Sequence, residues 1–161
     1  GYSGSVNEIQ IFNTILKTPD NKTIIIPNGG LSTGSMINYS TEPMRRVDFV
    51  FGIGYGDDVD LTKVVLKKLA NEDDRILDDP EPFIAVTELG ASSVNLVLRV
   101  WGKSSDYWGI YFDMHEKVYK TFQKEGLNIP FPQMDVHVHN NGMKDRKLPS
   151  VGDGEIQLPK Q

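Results

Sequence analysis

The feature that most constrains the fold is the run from Asn128 to His139. Pro130 and Pro132 each fix φ and lack a backbone N–H, so the start of this run cannot be a central strand of a sheet. After Pro132 the residues alternate between an apolar and a polar face, which predicts a short strand. The apolar face holds Met134, Val136 and Val138, and the polar face holds Asp135, His137 and His139. Because this strand follows the last predicted helix, we expect it to pair outside its own domain.

Composition excludes several classes of protein. The chain has 161 residues, enough for one ordinary domain or two small ones. It has no cysteine, which rules out disulfides and thiol chemistry and favours a reducing compartment. The net charge of −5 and the lack of a basic patch argue against nucleic-acid binding. Apolar runs fall far short of the roughly 20 residues that cross a bilayer. Since the chain begins at Gly1 rather than methionine, we expect a fragment or a processed product.

The first part of the chain predicts a small all-β region. Residues 6–18 have apolar side chains on both faces, as in a long strand of a small barrel. The turn Pro19–Lys22 leads to a return strand over residues 23–26, which is rich in β-branched side chains. A third short strand is predicted at residues 35–39. Glu42 and Pro43 mark the boundary with the next region.

The second part predicts an α/β unit. Strands are expected at residues 46–55, 83–89 and 94–101, and helices at residues 58–70 and 105–125, the second ending at Gly126. Counting the strand after Pro132, the order β-α-β-β-α-β is that of a ferredoxin-like fold. The expected apolar stripe of the first helix is Leu61, Val64, Val65 and Leu69, and that of the second is Tyr107, Tyr111, Met114, Val118 and Phe122.

Several segments together resemble the cytoplasmic region of the small-conductance mechanosensitive channel (MscS) family. They include Val6–Phe12, Ile26–Gly29, Tyr55–Asp58, Glu88–Ser93, Leu98–Trp101 and Pro130–Val136, in the order and spacing of that family. The resemblance implies an α+β chain with a small Sm-like β domain and a ferredoxin-like α/β domain. It also implies a C-terminal strand that joins an intersubunit β-barrel. The corresponding divisions are residues 1–42, 43–130 and 131–139, followed by a mobile polar tail over 140–161.

The same resemblance implies a role and a location. Seven subunits of this family enclose a chamber with side portals, on the cytoplasmic side of the bacterial inner membrane. Membrane helices that precede this region open under tension and release ions and small osmolytes. We therefore expect a homo-oligomer, a heptamer by this resemblance, of soluble vestibule domains that filter solutes below the pore. The alternative is a free-standing ferredoxin-like ligand-binding or sensor module.

Two groups of side chains are candidate sites. Asp57, Asp58 and Asp60 could line an ion path or portal, although one of them is expected to cap a helix. Asp135, His137 and His139 could form the polar face of the barrel strand. His-x-His could bind a transition metal if copies converged, but alternate residues along a strand lie about 6.6–6.8 Å apart, so a simple polar face is favoured.

Four further features point to structure rather than chemistry. The acids of residues 72–81 lack the ligand order of a calcium-binding loop, so we expect a solvated acidic loop. Gly52, Gly54 and Gly56 do not match a phosphate-binding loop and suggest close backbone packing at a domain or subunit contact. Trp108 lies off the core stripe and is a candidate subunit contact. His115 has no partner placed by a catalytic motif, so we expect no enzyme activity, metal or cofactor.

Overall fold

A computed structural model describes residues 1–137, which form two three-stranded antiparallel sheets and three helices. The chain is therefore an α+β protein, as the sequence predicts. In chain order the elements are β1 (Ser5–Ile9), β2 (Asn13–Lys17), β3 (Thr23–Pro27), α1 (Asn28–Thr33), β4 (Met44–Ile53), α2 (Val59–Asn71), β5 (Phe83–Leu89), β6 (Val94–Lys103) and α3 (Tyr107–Glu125). A 3-10 turn, Ser104–Asp106, leads into α3.

The N-terminal sheet has the strand order β1-β2-β3. The prediction of one strand over residues 6–18 is wrong, because the chain reverses between β1 and β2. Asn28 holds this turn: its side-chain Nδ2 donates to the carbonyls of Gln10 and Ile11 at 2.8 and 3.1 Å. Thr14 Oγ1 donates to Asn28 Oδ1 at 2.7 Å. The partner that bends the chain is thus remote in sequence, so local periodicity does not reveal it.

The strand predicted at residues 35–39 is also absent. The chain instead forms the six-residue helix α1 directly after β3, and residues 34–43 contain no strand. The hydroxyls of Ser32 and Thr33 donate to the carbonyl of Gly29 at 3.0 and 3.1 Å. Such hydrogen bonds from hydroxyl side chains to a nearby backbone carbonyl offer the chain a local alternative to strand pairing.

The helix-packed sheet has the order β4-β6-β5, with β6 in the centre. Helices α2 and α3 pack on one face of it. Alternate residues of β4 and β6 point to that face, as the period of a strand requires. The buried side chains of this core include Val47, Phe49, Phe51, Ile53, Leu96, Leu98, Val100, Leu66, Ile110, Met114, Val118 and Phe122.

The predicted stripe of α3 is confirmed, whereas that of α2 is rotated. Met114, Val118 and Phe122 are buried, with Tyr107 and Tyr111 packed partly against the core. On α2 the buried residues are Thr62, Val65, Leu66, Leu69 and Ala70. Leu61 and Val64 are exposed, so their prediction as core residues is wrong. The apolar residues of α2 cover two adjacent faces of the helix, and only one of these faces packs on the sheet.

Candidate functional site

The turn between β4 and α2 brings together three backbone segments. Gly54 N–H is shared between the carbonyl of Asn128 at 2.9 Å and Asp57 Oδ2 at 3.1 Å. The same Asp57 oxygen accepts from Asn128 N–H at 2.8 Å. Gly56 has φ of +101°, in the left-handed region that glycine adopts without strain. One half-buried carboxylate therefore connects the start of α2 to the chain that follows α3.

The other two acids of this turn have local roles. Asp58 Oδ1 accepts from the backbone N–H groups of Asp60 and Leu61 at 2.9 and 3.0 Å, so Asp58 caps α2 as the sequence predicts. Asp60 is exposed and pairs with Lys63 at 3.1 Å. The three acids are close together, but only Asp58 and Asp60 present their side chains mainly to solvent.

Close packing at Gly54 and Gly52 occurs within one unit of the fold. A Cβ atom at Gly54 would lie 3.3 Å from Asn128 Nδ2 and 3.4 Å from Asp57 Oδ2. At Gly52 it would lie 3.0 Å from Asn95 Oδ1. The predicted close packing is confirmed at Gly52 and Gly54, where the neighbour of Gly54 is the segment that follows α3. It is wrong at Gly56, where a Cβ atom would meet no other atom within 4 Å, and its expected place at a domain or subunit contact stays a prediction.

Residues 128–137 form the C-terminal segment. It contains no strand and pairs with none of the described strands, so up to residue 137 the predicted fourth strand of the α/β unit is not formed within one chain. Gln133 N–H donates to Ser92 Oγ at 3.0 Å, in the turn between β5 and β6. Beyond this contact Met134 and Val136 are exposed, as is Phe131 before it.

The candidate polar face lies at the end of this segment. Asp135 and His137 are both exposed and make no hydrogen bond or salt bridge with another described residue. His139 and Val138 fall outside the described residues, as does the tail over 140–161. Among residues 1–137, no group of three His, Asp or Glu side chains is arranged to hold a metal ion.

An ion-pair network around the buried Asp73, which sequence reasoning missed, joins the loop after α2 to α3. Asp73 is only 6% exposed, so the expectation that the whole acidic run is solvated is wrong for this residue. Arg75 donates to both Asp73 oxygens at 2.8 and 2.7 Å and to Asp113 at 2.7 Å, while Lys117 donates to Asp73 at 3.0 Å. The Arg75 guanidinium, with help from Lys117, holds the pKa of Asp73 well below its usual range. The one sequence feature that could have indicated this network is Arg75, the single basic residue among the six acids of residues 72–81.

Two apolar surfaces remain uncovered in one chain. On α3, Trp108, Phe112 and Tyr119 share a face and are each more than half exposed. In the N-terminal sheet none of the apolar side chains before Val47 is buried, and Phe12 at its hairpin tip is 78% exposed. Both surfaces are candidate contacts with other molecules.

Comparison with known proteins decides the family. Residues 47–129 match the family model "Mechanosensitive ion channel MscS, C-terminal", and residues 1–41 match "Mechanosensitive ion channel, beta-domain". The chain belongs to the MscS family of mechanosensitive ion channels. The resemblance noted in the sequence is thereby confirmed.

Named relatives agree with this assignment. The chain is 48% identical over 139 residues to the small-conductance mechanosensitive channel of Edwardsiella ictaluri, covering 86% of this chain and 49% of that protein. It is 33% identical over 141 residues to mechanosensitive channel MscK of Escherichia coli, covering 86% of this chain and 13% of that protein. The crystal structure of Helicobacter pylori MscS in its closed state matches with a TM-score of 0.81 at 29% identity, covering 85% of this chain and 55% of that one.

This MscS-family chain spans about half the length of the small-conductance channel it matches. Among residues 1–137, no helix combines the length and the apolar character needed to cross a membrane. The described residues contain the two sheets, within the ranges that match the family models.

Proposed function

We propose that this chain is the cytoplasmic vestibule of an MscS-like channel, where it supports oligomerisation and filters solutes below the pore. The observation that carries the proposal is the uncovered apolar surface of the N-terminal sheet in a chain of this family. An isolated three-stranded sheet needs a packed hydrophobic face to be stable, and this one has no buried apolar side chain. Further copies of the chain would supply that packing, and the family resemblance implies seven.

The internal arrangement supports the finer parts of the proposal. The strand order β4-β6-β5, interleaved with α2 and α3, corresponds to a ferredoxin-like fold that lacks its last strand. The N-terminal sheet would complete an Sm-like β domain through its neighbours. The C-terminal segment would leave its own unit and add a strand to a barrel shared between subunits. Boundaries near residues 42 and 130 follow from this division.

The acidic turn and α3 take separate roles in such an assembly. Asp60 is the acid of the turn best placed to meet permeating ions, because its carboxylate extends into solvent beside a single lysine. Asp57 is occupied by backbone amides and does not serve this purpose. Trp108 would lie at a contact between subunits, since aromatic side chains are enriched at such interfaces. Membrane attachment and solute release would depend on parts of the channel that precede this chain.

Light scattering on the purified 161-residue chain, with and without residues 130–161, tests the proposal. We expect the complete chain to form a homo-oligomer and the shortened chain to dissociate at concentrations where the complete chain is assembled. The shortened chain should keep the helical part of the circular dichroism, because α2 and α3 bury their core within one chain. An unchanged oligomer after the deletion would contradict the role of the C-terminal segment, and a monomeric complete chain would contradict the role in assembly.

A further inference from the structure

Two tethers hold the C-terminal segment across one end of the helix-packed sheet. Ile53 at the end of β4 pairs with Val94 at the start of β6, and Val94 also pairs with Leu89 at the end of β5. The turn after β4 and the turn between β5 and β6 therefore lie at the same sheet end. Asn128 is bound at the first turn and Gln133 at the second.

The span between the tethers is short and stiff. Crossing from β4 over β6 to β5 takes about 10 Å at a strand spacing near 4.8 Å. The five peptide units from Asn128 to Gln133 reach at most about 18 Å when fully extended. Pro130 and Pro132 lie inside this span and fix two of its φ angles. The extended reach exceeds the crossing by about 8 Å, so length alone does not fix the path. The two prolines and the hydrogen bonds at both ends restrict it, and so limit the directions in which residues 134–137 leave the unit.

Of the two tethers, the one at Asn128 is the stronger. Asn128 N–H donates to the Asp57 carboxylate, and the Asn128 carbonyl accepts from Gly54 N–H. Gly54 N–H also donates to the same Asp57 carboxylate. Hydrogen bonds to an ionised acceptor are roughly twice as strong as neutral ones. The tether at Gln133 is a single bond to the neutral hydroxyl of Ser92.

We propose that Asp57 is a positioning residue for assembly: its carboxylate fixes the exit direction of the C-terminal segment and so prepares residues 134–137 to pair with other copies. The inference rests on the proposed role of this segment in oligomerisation. Binding by a segment that is already ordered loses less conformational entropy, which strengthens association without adding a contact at the interface. The three acids of the turn thus have different contacts. Asp57 binds the C-terminal segment, Asp58 caps α2, and Asp60 extends into solvent beside Lys63.

The test compares Asp57→Ala with two neighbouring controls, Asp58→Ala and Asp60→Ala, in the 161-residue chain. Hydrogen exchange of the Asn128 amide reports the tether, and dilution followed by light scattering reports the dissociation constant of the oligomer. Asp57→Ala should speed Asn128 exchange and raise the dissociation constant, each on the order of tenfold, as expected for loss of a hydrogen bond to a charged group. Asp57→Asn keeps an acceptor oxygen and should restore part of both effects.

The controls separate positioning from ordinary loss of stability. Asp58→Ala removes the cap of α2 and should lower the unfolding midpoint without selectively speeding Asn128 exchange. Asp60→Ala should change neither readout. If Asp57→Ala leaves Asn128 exchange at the wild-type rate, or leaves assembly unchanged although deletion of 130–161 weakens it, Asp57 has no positioning role. If the deletion itself leaves the oligomer intact, the proposed function of the segment fails, and the exchange rate of Asn128 still decides whether Asp57 holds it.

Discussion

The two sheets of this chain have the same number of strands, but they differ in how their apolar side chains are covered. Both contain three antiparallel strands. The helix-packed sheet buries Phe49, Leu96 and Leu98 beneath two helices, whereas the N-terminal sheet buries no apolar side chain at all. Hydrophobic burial is the dominant favourable term in folding. The helix-packed sheet can therefore be stable within one chain, whereas the N-terminal sheet requires further packing. Under the proposed function, the N-terminal sheet is therefore the part of the chain whose stability depends most on contacts with other copies.

The largest expected effect comes from matched phenylalanines in the two sheets. Phe49→Ala removes a fully buried ring and should cost about 3–5 kcal/mol in the free energy of unfolding. Phe12→Ala removes an exposed ring and should cost no more than about 0.5 kcal/mol in the dissociated subunit. Denaturant unfolding followed by NMR of backbone amides in each sheet measures both, since the two tryptophans, Trp101 and Trp108, lie in the helix-packed unit. Equal losses would show that the N-terminal sheet has a core of its own and would break the comparison.

The ion-pair network gives the helix-packed unit a second source of stability that the N-terminal sheet lacks. Asp73→Asn should cost about 2 kcal/mol, because Arg75 and Lys117 lose hydrogen bonds to a charged acceptor. The pKa of Asp73 is lowered on folding, so its contribution is complete above the unfolded value of about 4 and is lost as pH falls below it. Thermal unfolding between pH 5 and 2 should therefore show a smaller loss of stability in the variant than in the wild type. Parallel losses would show that Asp73 is not the group responsible.

Loss of the cap of α2 should destabilise the same helix-packed unit by a smaller amount. Asp58→Ala should cost about 1 kcal/mol through loss of two bonds to helix N–H groups. Asp60→Ala removes one exposed ion pair and should change stability by less than about 0.5 kcal/mol. Thermal unfolding of both variants provides the measurement. If Asp60→Ala were the more damaging change, the assignment of the cap would be incorrect.

The smallest effect on overall stability is expected at Asn28. Asn28→Asp replaces the amide donor that holds the carbonyls of Gln10 and Ile11. We expect faster amide exchange in the β1–β2 hairpin and no shift in the unfolding midpoint of the helix-packed sheet. Exchange measured by NMR at residues 9–16 and 94–100 would separate the two. A loss of protection in both sheets would mean that they unfold as one unit, contrary to the comparison.

Sequence periodicity identified the parts of the fold that depend on neighbouring residues. The strands over residues 83–89 and 94–103, the stripe of α3 and the cap at Asp58 follow from patterns contained within one element. The hairpin at Asn28, the tether at Asn128 and the network around Asp73 depend on partners 14 to 71 positions away, so no local pattern contains them. The face of α2 was misplaced because Leu61 and Val64 fit an apolar stripe and only packing excludes them.

The contrast between the sheets is tested most directly by hydrogen exchange on the 161-residue chain across a series of protein concentrations, with mass measured in parallel. We predict that amides of β2 and β3 gain protection as the mass rises towards about seven times the subunit mass of 18.1 kDa, while amides of β6 stay equally protected throughout. Strong, concentration-independent protection of β2 and β3 in a species of monomer mass would contradict the account.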